Sequence, residues 1–525
     1  MRTSFYVGLG LMLAFTGSAQ PQGKSSEIPK AIAILHQAAR AAGTIPDDPP
    51  RPQEAMGRTA YYDPLYGPEK REKALGAIAQ AEAKAGDFAG SLEIIKAASQ
   101  GDVRDAMVRA VVIVRATKGT TEPVIEATAR LPEDRRQDIF LESGLARVRE
   151  GNRAGALQFA HLIADEAAKG RLLAEIADAQ GRVGDVRGAT QTAEAIGAMK
   201  TSTAQMKVLA LVAVAMAQEK SGDRAASRNS FRQALTLVGG DPSLRGTLGN
   251  IAQARAALGQ FNEAVETAGM IPFDVPRNVV LARIAGSQAK LGYVKEALQT
   301  VQAIRGEDSE FWKATALARV GRVQASRGDP AAAKATFQNA IRSAESIKDS
   351  DSTAHAPGGT STAVQSMAYF RGWRLSGIAK AEAQSDEKMA SAATFEKALA
   401  VARGMPDPPE GSVSYEAYSK DMLFYLIAKD QAEAGLVKSA LQTAGEIRLL
   451  PGKSRERGWS GGDPRVTALH DIARAQALRN EPSEVVAWAE ALPVPSEKAL
   501  ALLGLADGLL ERAGVEFVEP LPDDI

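Results

Sequence analysis

Residues 320–340 read VGRVQASRGDPAAAKATFQNA, and the turn Gly328-Asp329-Pro330 in their middle decides how the chain is built. Glycine ends a helix well because it reaches positive φ without a side-chain clash. Aspartate suits the N-cap of the next helix, since its carboxylate accepts from backbone N–H groups that the first turn leaves open. Proline then falls at the first helical position, where its missing N–H costs nothing. Beyond the turn, Ala333, Phe337 and Ala340 recur on one helical face. The stretch reads as a helix, a stop and a second helix.

The same turn returns along the chain. Ile78-Ala79-Gln80-Ala81 leads to Gly86-Asp87, and Ile176-Ala177-Asp178-Ala179 leads to Gly184-Asp185. Taking the turn residue as marker gives twelve units, at Gly86, Gly119, Gly151, Gly184, Gly222, Gly259, Gly292, Gly328, Asp386, Gly435, Asn480 and Gly514. The first intervals are 33, 32 and 33 residues, the length of two helices of about a dozen residues with their turns. The two exceptions to glycine, Asp386 and Asn480, are the residue types that best tolerate positive φ after glycine. A helix pair of this length cannot bury its apolar face alone, so neighbouring units must stack.

This pattern resembles the tetratricopeptide repeat. Gly222-Asp223 followed by Ser227, Phe231, Ala234 and Leu235 carries the family's turn and its small-aromatic-small spacing along the second helix. So do Gly328-Asp329 with Ala333, Phe337 and Ala340, and Asp386 with Ser391, Phe395 and Ala398. The first-helix tryptophan and tyrosine of the family are mostly missing, and alanine stands for its paired glycine. The resemblance spans roughly residues 70–514 and implies an all-α chain, an α-solenoid of about twelve such repeats wound into a right-handed superhelix. It also implies a concave face that holds a protein or peptide partner.

Composition agrees with packed helices. The 525 residues exceed the roughly 250–300 at which one core stops growing, and hydrophobic residues make up 45% against only 5% aromatic. The 63 basic residues balance the 63 acidic ones, so total charge points to neither nucleic acid nor an anionic membrane. Arg2, the apolar run Phe5 to Phe15 and Gly17-Ser18-Ala19 form a secretory-signal pattern. Residues 1–19 are therefore expected to be a signal peptide, and the rest periplasmic or secreted. No later segment has a transmembrane pattern. The chain has no cysteine, so it has neither disulfide nor thiolate metal site.

Residues 20–43 form an N-terminal segment whose short helix, Ile28 to Ala42, either packs as a cap or lies free. Residues 44–69 are rich in proline and tyrosine and read as a linker or a docking segment. Residues 70–345 hold regular repeats, and 515–525 form a tail. Across 346–514 the intervals lengthen to 58, 49 and 45 residues, with three insertions between the second helix of one unit and the first of the next. They bring Tyr369, Arg371 and Trp373, then Tyr415 and Tyr418, then Arg455, Arg457 and Trp459. Aromatics are scarce elsewhere, so these eight are the candidate binding residues. The competing reading is that they pack lengthened helix pairs.

Nothing in the sequence calls for catalysis or a cofactor. His36, His161, His355 and His470 are isolated, with no His-Glu-x-x-His spacing, so no metal is expected. His161 and His470 read as packed or surface residues. There is no Gly-x-Ser-x-Gly elbow or phosphate loop. The expected function is a non-enzymatic protein- or peptide-binding scaffold of the cell envelope. An α-superhelical enzyme acting on polysaccharide, with paired acids brought together by the fold, and a purely structural envelope component are the alternatives.

Overall fold

The computed structural model describes residues 27–45, 70–97, 111–114, 121–129, 133–199, 204–306, 308–347, 367–405, 420–447, 464–479 and 482–515. These contain 23 α-helices and no strand. None of the helices is long and apolar enough to cross a membrane. The fold is all-α.

Helices come in pairs, a helix A before each marker and a helix B beginning two residues after it. The first four after the N-terminal α1 (Glu27–Gly43) are α2 (Lys70–Ala85), α3 (Phe88–Ala97), α4 (Glu122–Thr128) and α5 (Glu133–Arg149). Next are α6 (Arg153–Leu162), α7 (Glu166–Val183), α8 (Val186–Ala198), α9 (Ala204–Lys220) and α10 (Arg224–Gly240). The middle comprises α11 (Leu248–Ala257), α12 (Phe261–Gly269), α13 (Asp274–Leu291), α14 (Val294–Gln302), α15 (Ser309–Ser326) and α16 (Pro330–Glu345). Last are α17 (Met367–Ala383), α18 (Lys388–Gly404), α19 (Lys420–Glu433), α20 (Val437–Glu446), α21 (Pro464–Leu478), α22 (Pro482–Glu490) and α23 (Pro495–Arg512).

The turns have the geometry their residues demand. Each described marker glycine has φ between 73 and 99°, and Asp386 adopts 63°. Gly119 and Asn480 lie outside the described residues. At Gly184 the chain turns back on itself: Gly184 N donates to Gly181 O, and Asp185 N to Gln180 O, at 3.1 and 3.0 Å. These two hydrogen bonds satisfy carbonyls the helix end would leave open. Asp185, Asp223 and Asp329 then accept from Gly188 N, Ala226 N and Ala332 N at 2.9, 3.0 and 3.0 Å, and so cap the next helix.

From α5 to α23 each helix A packs on its own helix B and on the next helix A, whereas no comparable contact joins successive B helices. The A helices therefore form one continuous layer, with the B helices on its other side. Between the layers lie the fully buried Phe231, Phe337 and Phe395, each nine residues after its marker. Phe337 sits so close to Gly321 that a Cβ there would lie 2.8 Å from its ring. A polar contact repeats beside this core, from four residues before the marker to eight after it. Gln180 accepts from Thr192 Oγ1, Gln218 from Ser230 Oγ and Gln431 from Thr443 Oγ1, at 2.9, 2.8 and 2.8 Å. Each bond satisfies polar atoms that burial would otherwise leave costly.

The two ends of the array meet. Helix α1 packs along α23, and α23 also packs on α21 and α2. An ion pair, Arg512 to Glu27 at 3.6 Å, crosses the contact. The buried residues of α1 include Ala31, Ile34, Leu35, Ala38 and Ala42, the spacing of Ala333, Thr336, Phe337, Ala340 and Ala344 in α16. Helix α1 thus has the register of a helix B, and its helix A is α23, from the other end of the chain. The N-terminal helix is not free: it packs on α2 of the first unit and supplies the helix B of α23, the last helix A.

Candidate functional site

In the A layer, seams between successive A helices carry charge. A cation stands six residues before the marker in four consecutive units, as Arg322, Lys380, Lys429 and Arg474. Each reaches the following unit, Arg322 at the residue just after the helix A and the others on the helix A itself. Arg322 donates to Gln384 Oε1 at 3.4 Å, and Lys380 meets Asp430 at 2.6 Å and Glu433 at 2.8 Å. Lys429 lies 3.7 Å from Asp471, and Arg474 2.9 Å from Glu511. Helical spacing explains the repeat: the residue four before the marker faces helix B, and two residues earlier in the helix the side chain points well away from it.

The seams are linked to one another. Ser376 Oγ donates to Asp430 Oδ2 at 2.8 Å, and Tyr425 OH to Asp471 Oδ2 at 3.0 Å. His470 lies between two carboxylates, Nδ1 at 3.0 Å from Asp471 and Nε2 at 3.1 Å from Asp507. Burial works against a charge on His470, but its hydrogen bonds to Asp471 and Asp507 outweigh that and lift its pKa to about 9. The ring is therefore an imidazolium at neutral pH, donating from both nitrogens. Burial likewise opposes the charge of Lys380, while Asp430 and Glu433 hold its pKa above the ordinary value. The line of charge crosses the closure, since Lys84 of α2 interacts with Asp507 of α23, which counters the lowering effect of burial on that lysine.

At one end of the line stands an aromatic cluster. Phe311 and Trp312 of α15 meet Phe370 and Trp373 of α17, the Phe311 ring lying 4.8 Å from Trp312, 5.6 Å from Phe370 and 5.8 Å from Trp373. The Arg374 guanidinium stacks 4.0 Å from Trp373 and 4.2 Å from Phe311, and donates to Thr315 Oγ1 at 2.9 Å. Burial pushes its pKa down, yet a guanidinium starts so high that it stays charged.

Tyr369, Arg371 and Trp373, expected in an inserted loop, stand on helix α17. Tyr369 is 6% exposed and packs 5.5 Å from Phe370 and 6.3 Å from Trp373. Arg371 donates to Ile347 O at 2.9 Å, tying α17 to the end of the preceding unit. Arg371 and Trp373 thus contact the preceding unit, and Tyr369 packs against rings of its own helix. Tyr415, Tyr418, Arg455, Arg457 and Trp459 lie outside the described residues. Sequence reasoning missed this column, although the cation at a constant offset was visible once the units were aligned. It also read His470 as a plain packed or surface residue, because its two acids come from different positions in the repeat.

No protein-family model matches the chain, and a search of curated proteins finds no match. The functional reading therefore rests on the residues themselves.

Proposed function

We propose that this chain is a non-enzymatic scaffold of the tetratricopeptide-like type, exported to the cell envelope, which binds a protein segment or peptide along its A-helix layer. On this reading the twelve units form an α-solenoid, a superhelical array whose ends are joined by α1 and α23. The observation that carries the proposal is the column Arg322, Lys380, Lys429 and Arg474, one cation per unit, each beside a polar or acidic group of the next helix. Such a column presents donors and acceptors at the repeat spacing to an extended chain. The lysine and arginine side chains are held by their partners before binding, so less rotamer freedom is lost on association. Balanced total charge argues for a polypeptide partner over nucleic acid.

Site-specific photocrosslinking tests this. A crosslinker at position 377 of α17, where Gly377 has open space beside it, should capture polypeptide from an envelope extract, and one at position 397, on helix B of the same unit, should not. Equal capture from both positions, or none from position 377, would refute a binding face on the A layer.

A further inference from the structure

At the closure lies a carboxylate with no donor. Glu82 stands four residues before the marker Gly86, where other units place a glutamine that accepts from a hydroxyl eight residues after the marker. In the first unit that second position is Ile94, which has no hydroxyl. Glu82 is 0% exposed, and neither of its carboxylate oxygens has a hydrogen-bond partner. Such a group is costly unless something else satisfies it.

Two side chains face the same point. Asp87 uses Oδ1 to cap α3, accepting from Gly90 N at 2.9 Å. Its Oδ2 lies 3.4 Å from His36 Nε2, which in turn is 3.6 Å from Glu82 Oε1. The three ligand atoms lie within 4.8 Å of one another. Gly90 leaves the space open, because a Cβ there would fall 2.6 Å from Asp87 Oδ2 and 2.8 Å from Glu82 Oε2. The chain also holds its own comparison. Glu382 and Glu387 form the same acidic pair around the marker Asp386, but there Thr394 hydrogen-bonds to Glu382. Among the described residues, only the His36 group has ligand atoms placed to share an ion.

We propose that His36, Glu82 and Asp87 bind a divalent transition-metal ion of the zinc type, which fastens α1 to α2 where the array closes. Bonds of about 2.0–2.2 Å in a tetrahedron put neighbouring ligand atoms about 3.4 Å apart, and the histidine's two distances match that edge. One imidazole with two carboxylates suits zinc better than calcium or magnesium, which take oxygen ligands. His36 is 48% exposed on its side chain, so water can complete the coordination and the ion has a way in. The ion would supply the positive partner that Glu82 lacks.

Isothermal titration of the full mature chain with Zn²⁺ at neutral pH tests the site. One ion per chain should bind, its affinity should fall about tenfold or more in Glu82→Gln, and His36→Ala should abolish binding. Glu82→Gln carries the residue that other units tolerate there, and its circular dichroism without metal checks its fold. Glu382→Gln should bind as wild type does. Co²⁺ in place of Zn²⁺ should give a visible absorption band that His36→Ala removes. No ion at one equivalent, or equal affinity in wild type and Glu82→Gln, would overturn the proposal.

Discussion

Truncating Leu35 to alanine probes the joining of the two ends. Leu35 is wholly buried in α1, at the position where α10, α16 and α18 carry Phe231, Phe337 and Phe395. Removing a buried leucine side chain to alanine costs about 2–5 kcal/mol, the transfer term plus the cavity left behind. In an array stabilised by nearest-neighbour contacts, that loss falls on the units the residue touches. Helix α1 touches α23 and α2, so the effect should appear at both ends of the sequence together. Amide hydrogen exchange reads this directly, because local opening energies differ along a chain. At the lower bound of about 2 kcal/mol, exchange in α1 and α23 should accelerate roughly thirtyfold, by the rule that 1.4 kcal/mol is tenfold. Helices α9 to α11 should keep their wild-type protection. Phe337→Ala supplies the contrast, with acceleration centred on α15, α16 and α17. If Leu35→Ala accelerates exchange in α1 to α3 and leaves α23 unchanged, the closure argued above is wrong.

Two further substitutions test the repeat. Gly184→Val forces a β-branched residue to a φ of 82°, which should lower stability by about 1–2 kcal/mol, read as a drop in the urea midpoint; an unchanged midpoint would count against the marker register. Glu382→Gln puts the usual glutamine into the ninth unit. Burial raises the Glu382 pKa from 4.5 to about 7, against the hydrogen bond from Thr394. A carboxyl with a raised folded-state pKa adds stability below pH 4.5 and loses it as pH climbs through about 7. Relative to wild type, the variant should therefore gain about 1–3 kcal/mol on going from acid to alkaline pH. Urea midpoints at both extremes that differ by the same amount would show that the charge of Glu382 is not felt.

Much of this protein was legible in its local pattern. A marker that must reach positive φ, a capping aspartate and a one-faced apolar stripe are properties of a few consecutive residues, so Gly184-Asp185 and Gly328-Asp329-Pro330 could be read without any partner. The offset of Phe231, Phe337 and Phe395 was legible for the same reason. What could not be read were relations between residues whose separation follows no repeat. The sequence of α1 has the spacing of a helix B, but only tertiary packing set it beside α23. His470 became an imidazolium because Asp471 and Asp507 converge on it from two helices. Tyr369, prominent as a scarce aromatic, is buried, and Trp373 packs on Phe311, because α17 continues through them and packs on α15. His36 looked isolated because its carboxylates lie on α2 and in the turn after it. The repeating unit follows from neighbouring residues alone, since backbone conformation and amphipathic faces are local. The tertiary structure decided which units meet, because closure and charge pairing depend on distances that the chain order does not encode.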